Sequence, residues 1–128
     1  MRNFWTLLLW LSLALCAAGA NVPRRIVSLS PNVTELLYGI GAFPQVVGVS
    51  DFCTYPSQAA KLPSVGAWAN PSLEKLAALA PDLVMVDDGE GVLLQDSFRK
   101  LGLRFLIVPT HTVEDVYRAM AKLGQVRT

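Results

Sequence analysis

From Arg25 onward the chain repeats one unit four times, a short apolar run followed by a stretch with helical spacing. Neighbouring strands separated by a helix can return to the same sheet only in parallel, since a parallel crossover needs about a dozen residues or more. The alternation therefore predicts an α/β fold, a Rossmann-like parallel sheet with helices on both faces. The stretch beyond residue 20, a little over one hundred residues, suits one small domain.

The strands are expected at Arg25–Ser30, Val46–Ser50, Leu83–Val86 and Arg104–Val108, each rich in branched or aliphatic residues. After the first, Pro31 and Asn32 open a helix, and Asn32 and Glu35 have the spacing of a capping box. Val33, Leu36, Leu37 and Ile40 form its apolar face, and Gly39 and Gly41 mark its end. Asn70-Pro71 predicts the start of the next helix, with proline at its favoured first position. A third helix is expected over Val92–Leu101. A fourth, capped by Thr112 and Asp115, runs towards Gly124. Between the second strand and Asn70 the chain reads mostly as loop, and Asp87–Gly91 reads as an acidic, glycine-bearing loop.

Residues 1–20 follow a different logic. Arg2 precedes an almost wholly apolar run from Phe4 to Leu15, and small residues end at Ala18-Gly19-Ala20. A basic start, an apolar stretch and an A-x-A site describe a secretory signal peptide, with cleavage after Ala20. The apolar run is shorter than the roughly 20 residues that cross a bilayer. Leu13-Ala14-Leu15-Cys16 resembles a lipidation box, but Leu15 stands where a small residue is wanted. Both readings predict an exported, periplasmic chain.

Cleavage removes Arg2 from the 11 basic residues and leaves them level with the 10 acidic ones. Nucleic-acid binders carry clustered Lys and Arg, so a balanced and scattered charge excludes nucleic acid as a partner class. Cys53 is the one cysteine left after cleavage, and it reads as a partly buried free thiol. Two cysteines cannot build a Cys-rich metal site. His111, the only histidine, reads as a plain loop residue between Thr110 and Thr112.

Ligands of open parallel sheets sit beyond the carboxyl ends of the strands. The loops there are Ser30–Asn32, Asp51–Asn70, Asp87–Gly91 and Pro109–Thr112. The second carries Phe52, Tyr55 and Trp68, rings able either to hold a large flat ligand or to cover the sheet end. Small neighbours around Trp68 would leave its ring projecting. The acidic loop lacks calcium-ligand spacing and reads as a solvated turn. Gly39-Ile40-Gly41 ends a helix rather than opening one, so it is no dinucleotide fingerprint. No phosphate loop is present, and nothing assembles a nucleophile, base and orienting group.

Several ordered motifs resemble one family. Ile26-Val27-Ser28-Leu29-Ser30-Pro31-Asn32-Val33-Thr34-Glu35-Leu36-Leu37 is similar to the opening of class III periplasmic binding proteins of ABC importers. Val46–Ser50, Tyr55-Pro56, Lys61–Gly66 and Leu73–Val84 continue the match in order. That family carries vitamin B12, ferric siderophores and haem between two Rossmann-like lobes joined by a long helix. The resemblance implies that residues 21–128 are the N-terminal lobe alone, a binding protein and not an enzyme. The stretch Ala67–Asn70 is most similar to the cobalamin branch. On that resemblance Phe52 and Trp68 would contact a corrinoid, Asn32 and Asp87 would border it, and Glu74 would dock on a permease arginine. Asp87 departs from the branch, which can place an aromatic there. A ferric siderophore or haem is the alternative cargo, with Tyr55 as the tyrosine left to ligate haem. An exported Rossmann-like enzyme would need catalytic groups from beyond Thr128.

Overall fold

The computed structural model describes residues 22–127, so the signal peptide at 1–20 and its lipidation alternative at Cys16 lie outside the described residues. The strands of the main sheet are β1 (Ile26–Ser28), β2 (Val46–Val49), β5 (Leu83–Asp87) and β6 (Phe105–Val108). All neighbouring pairs are parallel, in the order β2-β1-β5-β6. Strands β3 (Gly66–Ala67) and β4 (Asn70–Pro71) form a separate antiparallel hairpin. The helices are α1 (Pro31–Gly39), α2 (Leu73–Ala78), α3 (Asp88–Lys100) and α4 (Val113–Arg127). The doubly wound parallel sheet expected from the alternation is the observed fold.

Burial on both faces explains why the central strands are apolar up to their carboxyl ends, where Ser28 and Asp87 stand. In β5, Leu83 and Met85 face one core together with Ile26, Val33, Leu37, Val49 and Ala119. Val84 and Val86 face the other, with Val27, Leu29, Leu76 and Phe98. Helices α1 and α4 thus cover one side of the sheet, and α2 and α3 the other. The cores differ in kind, because the α1 side also encloses Ser28, Thr34, Ser50 and Cys53. The Thr34 hydroxyl lies 2.8 Å from Ser28 Oγ, 3.0 Å from the Ser30 carbonyl and 3.2 Å from Cys53 Sγ, so each buried polar group has company. Cys53 is a fully buried free thiol, deeper than its loop position suggests.

Three helix starts differ from expectation. Helix α1 has Ser30 at its N-cap and Pro31 in its first turn, with no side-chain cap. Asn32 therefore does not serve as the cap, and its amide is used elsewhere. Asn70-Pro71 pairs with Gly66-Ala67 as a strand, and Ser72 caps α2 by accepting from the Lys75 N–H at 3.3 Å. Helix α3 begins at Asp88, four residues before the predicted start, so Asp88–Gly91 is its first turn and not a loop. Its glycines disguised the helix, yet Gly91 is where it meets the sheet most closely. A Cβ there would stand 2.8 Å from Ile107 Cγ1 and 2.9 Å from Val86 Cγ1. By contrast, Thr112 and Asp115 form the predicted reciprocal cap of α4, with Asp115 N–H donating to Thr112 Oγ1 at 3.1 Å and Thr112 N–H to Asp115 Oδ2 at 3.1 Å.

At the amino edge of the sheet a clasp fastens the start of the chain. Asp82 Oδ2 accepts the N–H groups of Arg24 at 2.7 Å and Arg25 at 3.0 Å. The Arg25 guanidinium returns the contact, donating to the Leu79 carbonyl at 2.6 Å and the Ala80 carbonyl at 3.2 Å.

Candidate ligand site at the carboxyl edge

Chain progress reverses between β1 and β5, because β2 lies on one side of β1 and β5 on the other. Such a switch point opens a crevice at the carboxyl ends of the two strands. Here Ser30 closes it, its Oγ accepting the Asp87 N–H at 3.0 Å. A second tie crosses the α1 side of the edge, where Asn32 Nδ2 donates to Thr110 Oγ1 at 2.6 Å. Under that tie lies a cleft of about 230 Å³ between α1 and α4, lined by Asn32, Glu35, Leu36, Thr110, Val116 and Met120. It is smaller than the roughly 300–1,000 Å³ of most small-molecule pockets. The edge as a whole is an open platform.

Aromatic side chains occupy the β2 end of this platform. Phe52 follows the strand and is 57% exposed. Trp68 and Ala69 form the two-residue turn of the β3–β4 hairpin, and the Trp68 ring is half-buried rather than fully projecting. The hairpin is fixed to the sheet end: Asp51 N–H donates to the Gly66 carbonyl at 2.9 Å, and the Ser64 hydroxyl donates to the Asp51 carboxylate. Tyr55 does not belong to the platform. Its ring meets Tyr38 edge-on at 5.6 Å, and Tyr38 lies in the last turn of α1, towards the opposite edge.

Acidic side chains occupy the β5 end. Asp87 terminates the strand and caps α3, its Oδ1 facing the Glu90 N–H at 3.5 Å. Partial burial, the Asp87 charge and a hydrogen bond with Asp87 together raise the Glu90 pKa above its usual value. Asp88 Oδ2 lies 2.7 Å from His111 Nε2, while Asp88 Oδ1 is buried without a hydrogen-bond partner. The structure thus brings Phe52 and Trp68 to one end of the edge and Asn32 and Asp87 to its middle. Glu74 stands apart, exposed in the first turn of α2. The Ser30–Asp87 and Asp88–His111 contacts were not anticipated. Their sequence signal is positional: each links residues at or just beyond the ends of two different strands of the sheet.

Among the described residues no group of three or more His, Cys, Asp or Glu side chains could hold a metal ion. Among them, too, no helix is long and apolar enough to cross a membrane.

A parallel sheet covered on both sides, with an open platform at its carboxyl edge, is the architecture of a ligand-binding α/β lobe. The chain belongs to the periplasmic binding protein family, whose model matches residues 26–127. It is 31% identical over 119 residues to a vitamin B12-binding protein of Pectobacterium atrosepticum, covering 91% of this chain and 43% of that protein. It is 34% identical over 117 residues to a vitamin B12-binding protein of Yersinia pestis, covering 90% and 41%. Among solved structures, the periplasmic vitamin B12 binding protein of Vibrio cholerae superposes with a TM-score of 0.75 at 28% identity, over 82% of this chain and 42% of that one. A periplasmic haem binding protein of the same organism superposes at 0.69 with 28% identity, over 80% and 40%. The chain spans less than half the length of these relatives. All of them are binding proteins by name, which agrees with the reading of a binding protein rather than an enzyme.

Proposed function

We propose that this chain supplies the N-terminal lobe of an ABC importer's periplasmic substrate-binding protein and that its cargo is a corrinoid. The observation that carries this reading is the make-up of the platform. An exposed Phe52 and a half-buried Trp68 offer flat apolar contact at one end. Asp87 and Glu90 offer carboxylate acceptors towards the other. A corrin ring presents both an extended flat surface and a rim of amide donors, which matches that division. The edge residues 29–32, 50–54, 87–91 and 109–112 include Asp51, Asp87, Asp88 and Glu90 but no Lys or Arg. That suits an anionic ferric siderophore or the carboxylates of haem less well. A haem reading also loses Tyr55, which packs on Tyr38 away from the platform. The relatives named for vitamin B12 support the same cargo.

In this reading Asn32 holds the edge in register through Thr110, and the exposed Glu74 carboxylate is free to meet a cationic side chain of the permease. Delivery of the cargo to that permease is the physiological role.

The test uses the fluorescence of Trp68, read as the difference between the parent protein and its Trp68→Phe variant. Titrating the full-length mature protein with cyanocobalamin, corrected for inner-filter absorption, should change the emission saturably. A silent titration with cobalamin beside a saturable one with haemin or a ferric siderophore would overturn the corrinoid assignment and leave the fold intact.

A further inference from the structure

Phe52 and Trp68 reach the platform by different routes. Phe52 stands just beyond the end of β2, whereas Trp68 sits in the turn of a hairpin whose strands hold two residues each. A two-stranded hairpin is at best marginally stable in water by itself, so the pose of Trp68 depends on how this one is attached. Its base is anchored in the interior, where Val65 and Pro71 are buried. Val65 N–H donates to the Val49 carbonyl at 2.9 Å, and Ser72 N–H to the Val65 carbonyl at 2.7 Å. These contacts hold the base without setting the direction in which the hairpin leaves it. That direction changes at Gly66, whose φ of +100° favours glycine.

The polar groups of Gly66 both lead to Asp51. Pro71, opposite Gly66 in the hairpin, has no N–H to offer its carbonyl. The Gly66 carbonyl instead accepts the Asp51 N–H at 2.9 Å. The Gly66 N–H donates to Ser64 Oγ at 3.1 Å, and the Ser64 hydroxyl donates in turn to the Asp51 carboxylate. Asp51 is also the residue before Phe52. Among the described residues no ring contact joins Phe52 to Trp68, so their relative placement passes through the backbone and side chain of Asp51. We propose that Asp51 is the positioning residue of the aromatic platform. Together with Ser64 it fixes the direction of the hairpin, and so the separation and tilt of Trp68 relative to Phe52. The inference rests on the reading of these rings as the ligand surface, and it adds a residue that need not touch the ligand. Rings held at a set spacing are already ordered when a flat ligand arrives, which raises affinity by lowering the ordering cost.

The test uses the full-length mature protein and reads Trp68 as the difference from Trp68→Phe in each background. In the free protein, Ser64→Ala and Asp51→Ala should both lower the Trp68 fluorescence anisotropy. Far-UV circular dichroism should stay unchanged, because Val65 and Pro71 still anchor the base. Asp51→Asn keeps an acceptor and Ser64→Thr keeps the hydroxyl, so both should retain the parent anisotropy. Cyanocobalamin should bind each alanine variant about threefold to tenfold more weakly. The double variant should bind it no more weakly than Asp51→Ala, since both changes break one link. Unchanged anisotropy in the two alanine variants would overturn the proposal. So would an Asp51→Asn loss as large as that of Asp51→Ala beside an unaffected Ser64→Ala, because Asp51 would then be a charge that the ligand meets directly. A parent protein that ignores cyanocobalamin would remove the corrinoid reading alone, since the anisotropy needs no cargo and decides the positioning role by itself.

Discussion

The two ends of the carboxyl edge are built on opposite plans. Over β2 the platform is made of rings, Trp68 in the turn of a short hairpin and Phe52 just beyond the strand, 57% exposed and without hydrogen-bonding groups on its side chain. Over β5 and β6 it is made of polar groups, each tied to a helix start: Asp87 to α3, Asp88 to His111, and Thr112 to Asp115. Phe52 can be exchanged there with little effect on folding, because its exposed ring contributes surface and holds nothing else in place. The polar end cannot be changed so freely, since the groups that would meet a ligand also start the helices. Affinity and stability are thus separable at one end and coupled at the other.

The sharpest way to break this comparison is to unseat the helix that starts at the polar end. Phe98, in the second half of α3, is fully buried against the sheet, and Phe98→Ala should destabilise the protein by about 3–5 kcal/mol in denaturant titrations. A loss comparable to that of a surface substitution would show that α3 is not seated by this ring. Gly91→Ala comes next. Its added methyl would collide with Ile107 and Val86, and overpacking of this kind costs about 1–3 kcal/mol. Asp87→Ala removes the N-cap of α3 and should cost about 1 kcal/mol. An unchanged melting temperature with weakened cobalamin binding would place Asp87 among the freely exchangeable contacts instead.

A smaller effect is read through pH. The hydrogen bond from the Thr112 hydroxyl is the chief reason that the Asp115 pKa lies below its ordinary value of 3.8. The folded state therefore favours the carboxylate. Its contribution is complete above the unfolded value and is lost as pH falls through the folded one. Asp115→Asn should flatten the acid limb of the melting-temperature profile, and an unaltered limb would count against the cap. The smallest stability change belongs to the aromatic end. Phe52→Ala should stay within about 0.5 kcal/mol of the parent. Its cobalamin affinity should nonetheless fall in the Trp68 titration.

Much of the fold was legible because the strands are buried on both sides, which forces continuous apolar runs such as Leu83–Val86. The α4 cap was legible for another reason, since both partners of a capping box lie three residues apart. Misreadings came where local signals competed. Asn70-Pro71 has the form of a helix start, yet Asn70 pairs with Ala67 and the hydroxyl of Ser72 takes the cap. Gly89 and Gly91 have the form of a loop, yet the second is required by the approach of α3 to β6. Trp68 could be singled out by its small neighbours, but its half-burial depends on a hairpin that local spacing did not reveal. His111 was legible only as a loop residue, because what makes it notable is Asp88, 23 positions earlier and on the far side of the sheet.

The Arg24–Arg25 clasp bears on how the molecule can be held by its end. Because Asp82, Leu79 and Ala80 pin these residues at the amino edge, anything attached ahead of them leaves from the side opposite the platform. A lipid, an affinity tag or a sensor surface joined there would act as a mooring line from the stern. The ligand platform would face away from whatever surface the protein is anchored to.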